Sequence, residues 1–173
     1  MTTKDLEPGE YNEYYALYVR QVDPQRDLLT ALQKGQEETL SFFNGLPKDK
    51  WDYAYDTGKW TPKEVLLHLI DTERIFSYRA LRFARKDATD LPGFDQDAYV
   101  PPSAAKNRSV DSLLKEYSDV RQSSIALFEN LEETMLAQRG SGSGNTFSAR
   151  ALGFINAGHE IHHKRIIAER YLD

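Results

Sequence analysis

The sequence contains no cysteine. This excludes disulfides, thiolate-held zinc, iron–sulfur clusters and a cysteine nucleophile, and leaves His, Asp and Glu to hold any metal. The absence fits a cytoplasmic location. Long apolar runs are also missing. The longest, Val65-Leu66-Leu67-His68-Leu69-Ile70, is far too short to cross a bilayer, so no membrane partner is expected. Residues 1–10, MTTKDLEPGE, lack the apolar segment of a signal peptide, and export is not expected. There is no basic excess: 22 Lys and Arg face 27 Asp and Glu, a formal net charge of −5, and no Lys/Arg-rich block stands out. Nucleic acid is therefore not an expected partner. The chain also lacks an internal repeat, a phosphate loop, a dinucleotide fingerprint and any locally supported Ser-His-Asp triad.

What remains is a 173-residue chain, 40% hydrophobic and 28% charged. That composition suits one globular domain, residues 1–173, with a core that needs no staples. The periodicity is helical throughout. A short amphipathic helix is expected from about Glu10 to Val22, with Tyr11, Tyr14, Tyr15, Tyr18 and Val22 at spacings of three and four. Asp23-Pro24 reads as the start of a second helix reaching Phe43, stopped by Gly45 and Pro47. Residues 45–60 read as a loop that tucks Trp51, Tyr53, Tyr55 and Trp60 against the other elements. Thr61-Pro62-Lys63-Glu64 is a capping box with proline in the first turn, opening a helix to about Arg85.

A connection of about 20 residues follows, from Lys86 to Arg108. Such a length implies a crossover or a cover over a site. Ser109 caps a helix running to about Ala137. The stretch Arg139-Gly140-Ser141-Gly142-Ser143-Gly144-Asn145 reads as flexible by composition. Ser148 caps a last helix, from Ala149 to Leu172. The fold class is all-α: a four-helix bundle with long crossover connections and a short N-terminal helix.

Of the four histidines, three lie within five residues: His159, His162 and His163; the fourth is His68. On a helix, His159 and His163 are one turn apart with Cβ atoms about 5–6 Å from each other. Both imidazoles can then reach one ion at about 2.0–2.1 Å. His68 sits in an apolar stripe, where a neutral imidazole needs a hydrogen-bond partner or a metal. Taken singly, it also reads as a packed core residue. Brought together, the three would form a tripod with at least one open position, the pattern of a catalytic rather than a structural ion. His162 points about 60° away from His159 and belongs at the rim.

His159-Glu160-Ile161-His162-His163 also matches H-E-x-x-H. The protease reading is set aside because only Glu169 follows as an acidic third ligand, and nothing suggests a substrate-aligning sheet. Glu160 is kept as a base or as support for the ligands, against a solvated helix position. A di-iron carboxylate site fails because Val65 stands where a second E-x-x-H would need its glutamate. Asp71, one turn after His68, either orients an imidazole or pairs with Arg74. Asp95, Asp97 and Tyr99 on the long connection either line a pocket mouth or are solvated.

Two segments carry a resemblance. Gly58-Lys59-Trp60-Thr61-Pro62-Lys63-Glu64-Val65-Leu66-Leu67-His68-Leu69-Ile70-Asp71-Thr72-Glu73 and Ala157-Gly158-His159-Glu160-Ile161-His162-His163 resemble the DinB-like (DinB/YfiT) superfamily of metal-binding four-helix bundles. The Trp before a His-bearing helix and the His pair on the last helix carry the likeness. Leu91-Pro92-Gly93-Phe94-Asp95 and the aromatic N-terminal region resemble one branch of it. The resemblance assigns the ligand places to His68, His159 and His163. It implies a divalent ion, zinc before nickel, that activates a low-molecular-weight thiol for transfer to an electrophilic substrate, or activates water. It ranks thiol S-transfer above hydrolysis and suggests a homodimer. The competing expectations are a metal-dependent hydrolase and a non-enzymatic metal-binding bundle that contacts other proteins. The latter requires a fourth protein ligand closing the site.

Overall fold

Side-chain caps set the starts of the four long helices. Asp27 accepts the Thr30 N–H at 3.0 Å and opens α2 (Leu28–Asn44). The Thr61 hydroxyl accepts from Glu64 N–H while the Glu64 carboxylate takes Thr61 N–H at 2.7 Å, opening α3 (Pro62–Ala84). Ser109 opens α5 (Val110–Glu129) and Ser148 opens α7 (Ala149–Tyr171). The computed structural model describes residues 1–172. Three shorter helices, α1 (Glu13–Val19), α4 (Gln96–Tyr99) and α6 (Glu133–Leu136), and one hairpin, β1 (Arg139–Gly142) with β2 (Asn145–Ser148), complete it apart from single 3₁₀ turns. No helix among the described residues is long and apolar enough to cross a membrane.

Contacts between the long helices fix their directions. Leu28 lies against Gly153 and Gly35 against Glu160, so α2 and α7 run parallel. Glu73 bonds Arg121 and Ser77 bonds Ser124, so α3 and α5 run parallel. His68 meets His159, and Trp60, just before α3, accepts the Tyr171 hydroxyl near the end of α7, so α3 and α7 are antiparallel. Gln36 bonds Ser118 and the Leu32 carbonyl takes Arg121, which makes α2 and α5 antiparallel. The chain therefore runs up, down, down, up around a ring ordered α2, α5, α3, α7. Parallel neighbours need a connection that returns along the bundle, which accounts for the long segment between α3 and α5.

The core is interrupted at one level. One apolar cluster holds Leu32, Phe76, Ile125 and Phe154; a second holds Phe43, Ile70, Tyr117 and Ile167. Between them every long helix carries polar side chains inward. Arg121, 1% exposed, donates to both oxygens of Glu73 at 2.7 and 2.8 Å, to both oxygens of Glu160 at 3.0 and 2.9 Å, and to the Leu32 carbonyl at 3.1 Å. The Tyr117 and Thr39 hydroxyls donate to Glu160 Oε2. All four long helices thus meet on one guanidinium. A Cβ at Gly35 would lie 1.9 Å from Glu160 Oε1, so α2 approaches this closely only because residue 35 has no side chain.

Several boundaries differ from the sequence reading. The first helix spans only Glu13–Val19. Asp23 closes a turn with Gln25 and Arg26, and the second helix waits for Asp27. The helix expected to run to Ala137 stops at Asn130, and α6 follows. The Gly/Ser stretch is an ordered hairpin rather than a flexible linker. Ser143 and Gly144 take φ of 54° and 70°, a two-residue turn whose twist matches the paired strands. Leu91 on the long connection adds a parallel bridge, through Leu91 N–H to Ser141 O at 3.0 Å and Ser143 N–H to Leu91 O at 2.9 Å.

Replacing Arg121 by Ala strands two buried carboxylates, and a loss of about 3–5 kcal/mol in unfolding free energy is expected by urea denaturation. Gly35→Ala is expected to destabilise as well, although alanine is the better helix former by about 1 kcal/mol.

Candidate metal centre

His68 lies on the second turn of α3, and His159 and His163 lie one turn apart on α7. Because these helices are antiparallel, the early part of α3 faces the later part of α7. His159 Nε2 stands 3.1 Å from His68 Nε2 and 3.0 Å from His163 Nε2. Among the described residues, one ring nitrogen from each falls within 4.8 Å of the others, and no fourth His, Asp or Glu joins the group. His68 and His159 are buried and His163 is partly so.

The donor chemistry fits a cation. Each neutral imidazole nitrogen has either one proton or one lone pair to offer. His159 Nε2 faces two other Nε2 atoms with a single proton or lone pair to share between them, so without a cation the two contacts cannot both be well-aligned hydrogen bonds. Tetrahedral bonds of about 2.0–2.1 Å separate ligand nitrogens by about 3.3 Å, close to the spacing here. Burial lowers the pKa of His68 to about 4. Burial, with the charges of His68 and His162, lowers His163 to about 3. Burial, with the charges of His163, His68 and His162, holds His159 well below its ordinary value. All three rings are thus neutral and able to ligate at neutral pH.

The surroundings hold the rings in place. Thr72, one turn after His68, sets its hydroxyl 3.4 Å from His68 Nδ1, the ring nitrogen that the cluster does not use. The Trp60 ring lies 4.9 Å from the His68 ring. Gly158 lets α1 rest directly on α7, since a Cβ there would meet the Tyr18 carbonyl oxygen at 2.0 Å. Tyr18 consequently sets its ring edge-on to His159 and His162, at centroid distances of 5.0 and 5.3 Å. His162 stays outside the cluster, with Nδ1 3.4 Å from Gln21 Nε2.

Each histidine of the cluster borders a different cavity. Asp71 and Tyr99 line a small one beside His68. Trp60 and Asp97 line one of about 200 Å³ beside His163. A third, of about 230 Å³, reaches His159. Asp71 keeps only a 3.6 Å contact with Arg74, which pairs more closely with Glu116 at 2.7 Å. Burial raises the Asp71 pKa, with Arg74 opposing.

Two expected site residues are placed elsewhere. Glu160 follows His159 in sequence but turns into the bundle, where Arg121, Tyr117 and Thr39 occupy both oxygens. It is neither solvated nor free to act as a base. Asp95 caps α4 by accepting from Asp97 and Ala98 N–H and lines none of the three cavities. The sequence reading missed Thr72 and Tyr18. Thr72 was findable as the residue four after His68.

One divalent ion per chain is expected by metal analysis of protein purified without a His tag. Alanine at His68, His159 or His163 should weaken binding more than about 100-fold, and Thr72→Val about 10-fold, while His162→Ala leaves it unchanged. In metal-free protein the three depressed pKa values imply that the unfolded chain takes up protons which the folded chain refuses. Stability should therefore fall as pH drops from about 6.5 through about 4, read as the urea midpoint against pH.

Comparison with known proteins agrees with this architecture. The structure is similar to YfiT from Bacillus subtilis, described as a probable metal-dependent hydrolase with an unusual four-helix bundle topology. The TM-score is 0.71 at 15% identity, covering 95% of this chain and 90% of that one. It is also similar to the DinB-like protein YjoA from Bacillus subtilis, with a TM-score of 0.59 at 16% identity, covering 83% and 88%. At these identities the likeness shows the fold alone. No curated protein matches the chain in sequence. The family model of the DinB superfamily matches residues 31–167, which include all three clustered histidines. The chain belongs to the DinB superfamily.

Proposed function

We propose that the chain is a metal-dependent enzyme whose three histidines hold a divalent ion, zinc in the first instance, for hydrolysis of a small electrophilic substrate. The observation that carries this is a buried tri-histidine cluster with no fourth protein ligand among the described residues, bordered by cavities. A structural or sensory site would be closed by a further side chain. When bound, a divalent ion supplies Lewis acidity that brings the pKa of water or a thiol towards neutrality.

The chain's own residues do the rest. Thr72 is assigned the role of accepting the His68 Nδ1 proton, so that Nε2 keeps its lone pair, and Trp60 and Tyr18 limit the freedom of the rings. Asp71 lines the His68 cavity with a carboxylate that is only loosely paired, and it is assigned the role of proton acceptor. Glu160 cannot take that role, since its lone pairs are already committed to Arg121, Tyr117 and Thr39. YfiT's description as a probable metal-dependent hydrolase supports the choice of water over thiol.

The test is hydrolysis of 4-nitrophenyl acetate without added thiol, compared with glutathione consumption by 1-chloro-2,4-dinitrobenzene. Ester hydrolysis should appear only in metal-loaded protein and vanish in His68→Ala. Asp71→Asn should lower kcat about 10²-fold or more with metal content unchanged. Equal rates with and without metal would overturn the proposal, and metal-dependent thiol consumption alone would replace water by thiol.

A further inference from the structure

The long connection between α3 and α5 is tied to the bundle at two places. At the first, Leu91 is buried and bridges the hairpin, and the Pro92 carbonyl accepts from Arg79 Nη2 at 2.8 Å. At the second, Ala105 is buried, Lys106 stands 3.6 Å from Glu64, and Arg108 bonds Glu116. None of the residues 92–104 in between is buried. Among the described residues, 93–104 make no hydrogen bond to a long helix or to the hairpin. Their bonds are internal. Asp95 Oδ1 accepts from the N–H groups of Asp97 and Ala98 at 2.9 and 3.2 Å, and the Val100 carbonyl accepts from both the N–H and the O–H of Ser103. The Phe94 and Tyr99 rings pack on each other with centroids 5.3 Å apart. A stretch bonded to itself and not to its support can lift as one piece, because little is broken when it leaves.

Both ends of this stretch are suited to turning. Gly93 passes the hairpin so closely that a Cβ there would lie 3.3 Å from Ser143 Oγ. Ala104 takes a φ of 54°, a left-handed conformation that is costly for alanine, and reverses the chain between two 3₁₀ turns, Pro101–Ser103 and Ala105–Asn107. Between these ends the stretch borders each of the three cavities around the histidines. Phe94 and Gln96 line both the His68 and the His159 cavities, Tyr99 and Val100 line the first of these, and Asp97 lines the His163 cavity. The cavity beside His68 has a volume of about 10 Å³. That is room for about one water molecule and for no organic substrate.

We propose that residues 93–104 are a hinged cap, turning at Gly93 and Ala104, that opens to admit substrate to the His68 side of the cluster and, when shut, leaves space there for a single water. A fixed wall would be bonded to the bundle along its length, as the connection is at Leu91, Pro92 and Arg108. The cap's underside is the Phe94–Tyr99 pair with Val100, which close over Leu67 and His68 on α3. Closure of this kind excludes bulk water from a site and commits what lies within it. The assignment deepens the proposed function by saying how substrate enters. It rests on that reading only for what is admitted, because the opening itself can be measured without metal.

The chain has no cysteine, so Leu67→Cys places a single thiol in the floor of the small cavity. In the metal-free full chain this thiol should react with iodoacetamide at least about 100-fold more slowly than a free thiol, at a rate nearly flat in urea below the unfolding transition, because a local opening exposes little surface. Adding Tyr99→Ala should speed the reaction about tenfold or more with the urea midpoint unchanged. A staple tests the hinge. A Cβ at residue 93 would lie 3.5 Å from the Cβ of residue 143, within reach of a disulfide. Zinc-loaded Gly93→Cys/Ser143→Cys, oxidised, should release zinc to excess chelator at least about tenfold more slowly than Gly93→Ser, its unlinked counterpart. If Leu67→Cys does not fold, the staple decides. Labelling as fast as a free thiol, labelling that climbs with urea as global unfolding does, no effect of Tyr99→Ala, or a staple that leaves zinc release unchanged would each overturn the cap. Wild type that takes up no zinc fails the metal reading alone, and the labelling then decides the cap.

Discussion

One guanidinium organises this bundle. Arg121, on α5, donates to acceptors on α2, α3 and α7, so the four long helices share a single level and register. A buried cation with two carboxylates tolerates little sliding, since each lost bond leaves a desolvated charge. On α7, His159 and His163 stand at the same level, between the two apolar clusters, and His68 meets them from α3. Glu160 is adjacent to His159 in sequence and bonded to Arg121. The polar layer that fixes the packing therefore also fixes the helix that carries two of the three proposed ligands.

Much of this was legible in the chain. The capping box at Thr61, the serine caps at 109 and 148 and the 3.6-residue periodicity place three of the four long helices, because those signals are local. The histidine spacing was legible for the same reason. What local signals cannot carry is which faces meet. Glu160 was read beside the metal because a helix turn puts it near His159, whereas its partners Arg121 and Thr39 lie on other helices. The charged residues at 73 and 121, each on an otherwise apolar stripe, were the available clue to a buried network. The Gly/Ser segment misled because composition alone does not reveal Leu91, 51 residues earlier, pairing with it.

Arg121 and Arg79, two of the three buried arginines, differ in how fully they are satisfied. Arg121 is saturated, with both carboxylates and a carbonyl within bonding distance, and contributes order. Arg79 donates to the Pro92 carbonyl and Ser143 Oγ and leaves Nη1 without a partner. Folded chains keep few such groups.

The up, down, down, up order has a consequence for how the protein is made. His68 and His159 are 91 positions apart, and the ring of helices closes only when α7 slides between α2 and α3. During synthesis the chain up to Ser148 emerges with an isolated imidazole and a guanidinium lacking one of its carboxylates. The three-histidine cluster therefore cannot seed this fold; it is complete only once α7 docks, and an ion held by all three rings would report that the whole topology has been assembled.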